Sequence, residues 1–178
     1  MRNTYIALLR GINVGGQKKM KMIELRAVMA EEGFQNVKTY IQSGNIVFDC
    51  DETNQEKLEN IIVNAIWQHF GFNVTTLVIK YDKLKRIVQS NPFTSVNYVE
   101  KRYYVMLKRP PEDLLVKDFK ELHFPNEDFH LTDTCVYLLC NEGYGKAKLN
   151  NNLIEKKLNV EATTRNEKTM KKLLQMST

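Results

Sequence analysis

The sequence predicts an α+β protein of two tandem split βαββαβ, ferredoxin-like subdomains with antiparallel sheets and a C-terminal helix. Three observations predict it. Hydrophobic spacing gives the order strand, helix, strand, strand, helix, strand, and that order recurs after a break at Asn91-Pro92. Each half carries a tight hairpin between its middle strands, one about Ser43-Gly44 and one about Asp133. A last amphipathic segment follows the second set. No residue-level identity joins the halves, so the repeat rests on element order.

In the first half, Tyr5 to Arg10 is a strongly apolar strand. Met22, Leu25 and Met29 then recur at helical spacing up to Gly33, which suits a left-handed C-terminal cap. Val37 to Gln42 and Asn45 to Cys50 are strand-like. Thr53-Asn54-Gln55-Glu56 reads as a capping box opening a helix. Leu58, Ile61, Ile62, Ala65, Ile66 and His69 share one face of that helix, and Gly71 ends it. Val74 to Lys80 closes the set, and a helical linker covers Asp82 to Ser90. Residues 1–80 are thus one subdomain, 81–97 a linker and 98–178 the second subdomain.

In that second subdomain Arg102 to Lys108 is a strand, and Pro110-Pro111 starts a helix through about Leu122, proline being tolerated in a first turn. Phe129 to Thr132 and Thr134 to Cys140 form the hairpin. Leu149 to Leu158 is a helix and Glu161 to Thr164 a short strand. Glu167 to Met176 is the terminal helix, with Met170, Leu173 and Leu174 inward.

The composition, 43% hydrophobic and 26% charged, is that of a globular chain and not of a disordered one. No apolar run reaches the length of a membrane span, and no small-residue cleavage site precedes the first strand; the expected location is the cytoplasm, away from membranes. Cys50, Cys135 and Cys140 are an odd set without a Cys-x-x-Cys pair, which predicts free thiols, buried or half-buried. Cys135 and Cys140 should face opposite sides of one strand. His69, His123 and His130 lack metal-ligand spacing, so neither a metal nor a cofactor is implied. The net charge of +5 favours an acidic partner, although the lysines are interleaved with carboxylates rather than drawn into a stripe.

The candidate site starts at Arg10-Gly11-Ile12-Asn13-Val14-Gly15-Gly16, a glycine-rich, lysine-flanked loop between a buried strand and a helix. Such loops let backbone amides converge on a phosphate or carboxylate, with the helix N-terminus adding partial positive charge. Arg10 would supply a planar fork and Lys18 or Lys19 a point charge. Both nucleotide-loop motifs, Gly-x-Gly-x-x-Gly and Gly-x-x-x-x-Gly-Lys-Ser/Thr, are absent. Two further polar segments share this character, Gln42-Ser43-Gly44-Asn45 and Thr163-Thr164-Arg165-Asn166. The candidate ligand-binding residues are therefore Arg10, Gly11, Asn13, Gly15, Gly16, Lys19, Ser43, Asn45, Arg165 and Asn166.

Each has a structural reading beside the functional one. Asn13 would bond its own backbone in a glycine-rich crossover, Ser43 to Asn45 are ordinary hairpin residues, Asn166 would cap the last helix, and Arg165 would pair with an internal carboxylate. The loop after the first strand and the Ser43-Gly44 turn are expected at opposite ends of their sheet. A single pocket would then need completion by the second subdomain or a partner. If the C-terminal segment folds back, Arg165 would come beside Arg10 or Asn13, and two guanidiniums together would need an anion.

The segments Arg10 to Gly16, Met22-x-x-Leu25-Arg26, Thr39-Tyr40-Ile41-Gln42-Ser43-Gly44-Asn45 and Thr163-Thr164-Arg165-Asn166, in that order and spacing, resemble the bacterial family called domain of unknown function 1697. The resemblance implies paired ferredoxin-like subdomains in a small cytosolic protein, and it implies no activity. The family commonly has a tryptophan after the Thr-Arg-Asn run, where this chain has Glu167. If that tryptophan forms part of a ligand surface, this chain binds something different or binds more weakly.

Three function classes follow. The first is binding of a small anionic ligand by the glycine-rich loop. The second is RNA or single-stranded nucleic-acid binding, since RNA-recognition modules share the βαββαβ order. Tyr5 to Leu9 loosely resembles their first-strand motif, Gly44 to Phe48 is a poor match for the third-strand motif, and Tyr40, Tyr103, Tyr104 and Tyr137 would stack bases if they faced outward. The third is a structural or partner-binding role, with Arg10 and Arg165 in interdomain hydrogen bonds. No nucleophile, base or carboxylate pair has catalytic spacing, so no reaction is assigned.

Overall fold

The computed structural model describes residues 3–178. Alternation along β1 (Asn3–Leu9) sends Tyr5, Ala7 and Leu9 to one face, where they join the core formed with α1 (Met22–Glu31) and α2 (Gln55–Phe70). The sheet is completed by β2 (Gln35–Tyr40), β3 (Asn45–Cys50) and β4 (Thr76–Lys80), antiparallel in the order β2-β3-β1-β4. Leu25, Met29, Phe48, Leu58, Ile62 and Ile66 fill that core. Each fully buried leucine or isoleucine contributes about 1.5–3 kcal/mol relative to exposure.

After α3 (Tyr81–Gln89) and a 3-10 turn at Val96–Lys101, the pattern repeats. β5 (Arg102–Leu107), β6 (Glu127–Leu131), β7 (Cys135–Cys140) and β8 (Ala162–Asn166) pair antiparallel in the order β6-β7-β5-β8. α4 (Asp113–Lys120) and α5 (Asn151–Leu158) supply its helices, and α6 (Glu167–Met176) ends the chain. The architecture is two split βαββαβ sheets of the α+β class. Two compact units result. One extends up to Arg86 and takes in Lys171–Thr178, and the other is Ile87–Met170, so the boundaries fall inside α3 and α6.

Local chemistry moves several element ends from where the sequence alone puts them. The N-cap of α2 is Asn54, whose side chain accepts from Lys57 N at 3.1 Å, and not Thr53. Glu52, just upstream, accepts from the amides of Thr53 and Asn54, so a carboxylate already occupies the place a capping-box partner would take. α4 opens at Asp113 with Glu112 as its extended N-cap, two residues beyond the prolines. The second proline disfavours helical backbone at the first. Gly33 and Gly71 do end their helices with positive φ, 86° and 76°.

On α2 the expected face also needs correction. His69 is exposed, and Glu59 is buried, its Oε1 accepting from Val78 N at 2.9 Å. β4 is an edge strand, so this carboxylate closes an amide that another chain would otherwise pair with. The second unit has the same device on its own edge: Glu155 of α5 accepts from Ala162 N of β8 at 2.7 Å. The three thiols are free. Cys135 and Cys140 are buried, Cys50 is half-buried, and burial pushes the Cys140 thiol up to about 12.

Glu52 provides a pH test of the α2 start. Hydrogen bonding to Lys57, at 2.6 Å, and to the two amides holds its carboxyl at about 2 instead of 4.5. A depressed folded value means the contribution is present above about 4.5 and is lost as pH falls through about 2. Lys57→Ala is expected to raise the Glu52 midpoint toward 4.5 in an NMR titration; an unchanged midpoint would place the control with the amides alone.

Candidate functional site

The loop after β1 is a closed structure tied together by one side chain. Asn13, with φ of 54°, donates through Nδ2 to Met20 O at 2.9 Å and accepts at Oδ1 from Met20 N at 2.8 Å. Its own amide donates to Lys18 O at 3.2 Å. Inside this clamp, Gly15 and Gly16, with φ of 58° and 75°, make a tight turn closed by Gln17 N to Val14 O at 3.0 Å. Two successive positive φ values are the type I′ signature, which favours glycine. The structural role expected of Asn13 is therefore present. Its effect is to hold the loop in one shape.

The loop and the β2–β3 turn lie at the same end of the sheet, contrary to the expectation from sequence. β1 pairs antiparallel with β3, Leu8 opposite Asn45, and with β4, Leu9 opposite Thr76. The C-terminal end of β1 therefore meets the starts of both neighbours. Asn13 Nδ2 also donates to Gln42 O at 2.8 Å, and Leu9 N donates to Gly44 O at 2.8 Å. The segment ahead of β4, which the sequence did not single out, joins them: Arg10 N donates to Thr75 O at 3.0 Å and Lys18 Nζ to Asn73 O at 2.7 Å.

Within this rim the predicted residues divide. Asn45 is 0% exposed and donates to Tyr40 O and to Ser43 Oγ, both at 3.0 Å, so it shapes the turn from within. Ser43 and Arg10 are half-buried, while Gly11, Gly15, Gly16 and Lys19 are exposed. The amides of Gly15 and Gly16 and the ammonium of Lys19 make no hydrogen bond among the described residues. Arg26, part of the motif set, donates to Thr39 Oγ1 at 2.6 Å and braces α1 against β2.

The remaining two predicted residues belong to the second unit. Arg165 is 8% exposed on β8, its Nη1 donating to Thr163 Oγ1 at 2.8 Å and Thr164 O at 2.9 Å; burial lowers its guanidinium to about 10. Asn166 caps α6, accepting from Thr169 N at 2.8 Å. Glu167 is 2% exposed, pairs with Arg102 Nη1 at 3.2 Å and accepts from the Tyr104 hydroxyl. It is a buried partner rather than a surface residue. Burial first, and Glu167 second, raise the Tyr104 hydroxyl above its ordinary range.

Of the four tyrosines named as possible base stackers, two are buried and two, Tyr40 and Tyr103, are half-buried. Tyr104 and Tyr137 are buried, Tyr5 lies in the helix-side core, and Tyr103 stacks on Tyr144 with centroids 4.9 Å apart. Alternation fixes this, since Tyr5 shares its face with Ala7 and Leu9. Among the described residues no helix is long and apolar enough to cross a membrane.

A solved structure, that of the conserved bacterial protein SP0830 from Streptococcus pneumoniae, is similar over 100% of both chains with a TM-score of 0.76 and 20% identity. That likeness supports the fold alone. The chain belongs to the family described as protein of unknown function (DUF1697), which matches residues 2–137. The match takes in the loop, the β2–β3 turn and the β4 segment, and ends before Arg165. No curated protein matches.

Proposed function

We propose that the rim formed by the Arg10 to Lys19 loop binds a small anion carrying a phosphate or carboxylate group. The observation that carries this reading is the division of labour around Asn13. One side chain makes the bonds that close the loop, which leaves the Gly15 and Gly16 amides and the Lys19 ammonium for something else. A loop already fixed in shape loses little entropy on binding. Amides in a tight left-handed turn beside a cation suit an anion.

The test is the melting temperature of the full chain, at low and physiological salt, with phosphate, pyrophosphate, nucleotides, sugar phosphates and short RNA. A ligand at one hundred times its dissociation constant stabilises by about 2.7 kcal/mol, a readily visible shift. Lys19→Ala, at an exposed position, is expected to leave the unliganded melting temperature unchanged and to weaken anion binding roughly tenfold, the scale of one charged hydrogen bond. A shift with RNA alone that vanishes with salt would transfer the function to nucleic-acid binding. No shift with any probe would favour a structural or partner-binding role.

A further inference from the structure

Resting on that anion site, we infer that its ligand is a phosphate ester with an apolar group, which packs on a lip made by Val14 and Ile41. The hydrogen bond from Asn13 to Gln42, 2.8 Å, joins the two loops, and on each side the adjoining residue is a β-branched aliphatic standing in water. Val14 is 64% exposed and Ile41 51% exposed. Neither belongs to the core of the first unit.

Ile41 is the more telling of the two because its φ is 50°. A β-branched side chain in left-handed backbone is an outlier, whereas asparagine or glycine would make the same turn without strain. The chain thus places a poorly suited residue at a solvent-facing corner outside the core cluster of the first unit. That corner is tied to the loop carrying Lys18 and Lys19. An inorganic anion would need only the amides and cations. Two exposed aliphatic groups on the loops that this hydrogen bond joins favour a ligand that also removes apolar surface from water, an effect proportional to the area covered.

The experiment compares phenyl phosphate with inorganic phosphate on the full chain by calorimetric titration. Phenyl phosphate is expected to bind about tenfold more tightly, which corresponds to roughly 1.4 kcal/mol. Ile41→Asn should reduce that preference to about threefold or less while inorganic phosphate binding stays unchanged; this variant is expected to fold at least as well as the parent, since asparagine tolerates the turn. Equal affinity for the two probes, or a preference that survives both Ile41→Asn and Val14→Ser, would overturn the lip and leave the anion site standing. Binding of neither probe would remove both. Sedimentation with anionic phospholipid vesicles in place of binding to the soluble ester would assign the rim to a bilayer surface and overturn the inference.

Discussion

Glu167→Ala is expected to lower the stability of the chain by about 3–5 kcal/mol, among the largest effects available to a single substitution in this fold. The cost comes from what is left behind. Arg102, almost fully buried, would keep its Nη2 bonds to Thr94 O at 3.4 Å and Ser95 O at 2.8 Å but lose its only carboxylate partner among the described residues. Its Nε already makes no hydrogen bond there, so the guanidinium has nothing in reserve. The Tyr104 hydroxyl would lose its acceptor as well. For a chain of this length the melting temperature should fall by roughly 6–20 °C.

The pair Arg102→Met with Glu167→Met should recover most of the loss, because two apolar side chains replace two buried charges together. Urea denaturation of the single and double variants decides the matter. A Glu167→Ala loss under about 1 kcal/mol would mean that the ion pair is screened like a surface pair. Glu167 is thus held inside the second unit by Arg102 and the Tyr104 hydroxyl.

Gly44→Ala is the second large effect, expected to cost about 2–4 kcal/mol from overpacking and left-handed strain together. Its φ is 78°, and an added Cβ would stand 2.5 Å from Leu9 Cβ and 2.9 Å from Ile12 Cδ1. The first contact is with an atom fixed by the backbone of a central strand, so no rotamer change relieves it. The turn would have to retreat, stretching the Leu9 N to Gly44 O bond that joins the two loops. Denaturation should show the loss, and anion affinity should fall with it. Full stability in Gly44→Ala would show that the turn can shift without cost.

The order of elements was legible because it rests on local periodicity, and Asn45–Cys50 and Glu167–Met176 stand where spacing put them. The glycine-rich loop was legible as a loop for the same reason. What Asn13 does there was only half legible: its bonds to Met20 are local, whereas Gln42 lies 29 residues away. Placing the two loops at opposite ends was an error of strand direction, since an antiparallel neighbour starts where β1 finishes. Glu59 reads as one polar residue on an amphipathic helix until β4 lies beside it. The Glu167 pair spans 65 residues, and no local pattern announces it.

On the proposed apolar lip, the isoleucine at the β2–β3 turn sets stability and use against each other. Asparagine or glycine at position 41 would relieve the left-handed strain of this turn without touching a residue of the core cluster.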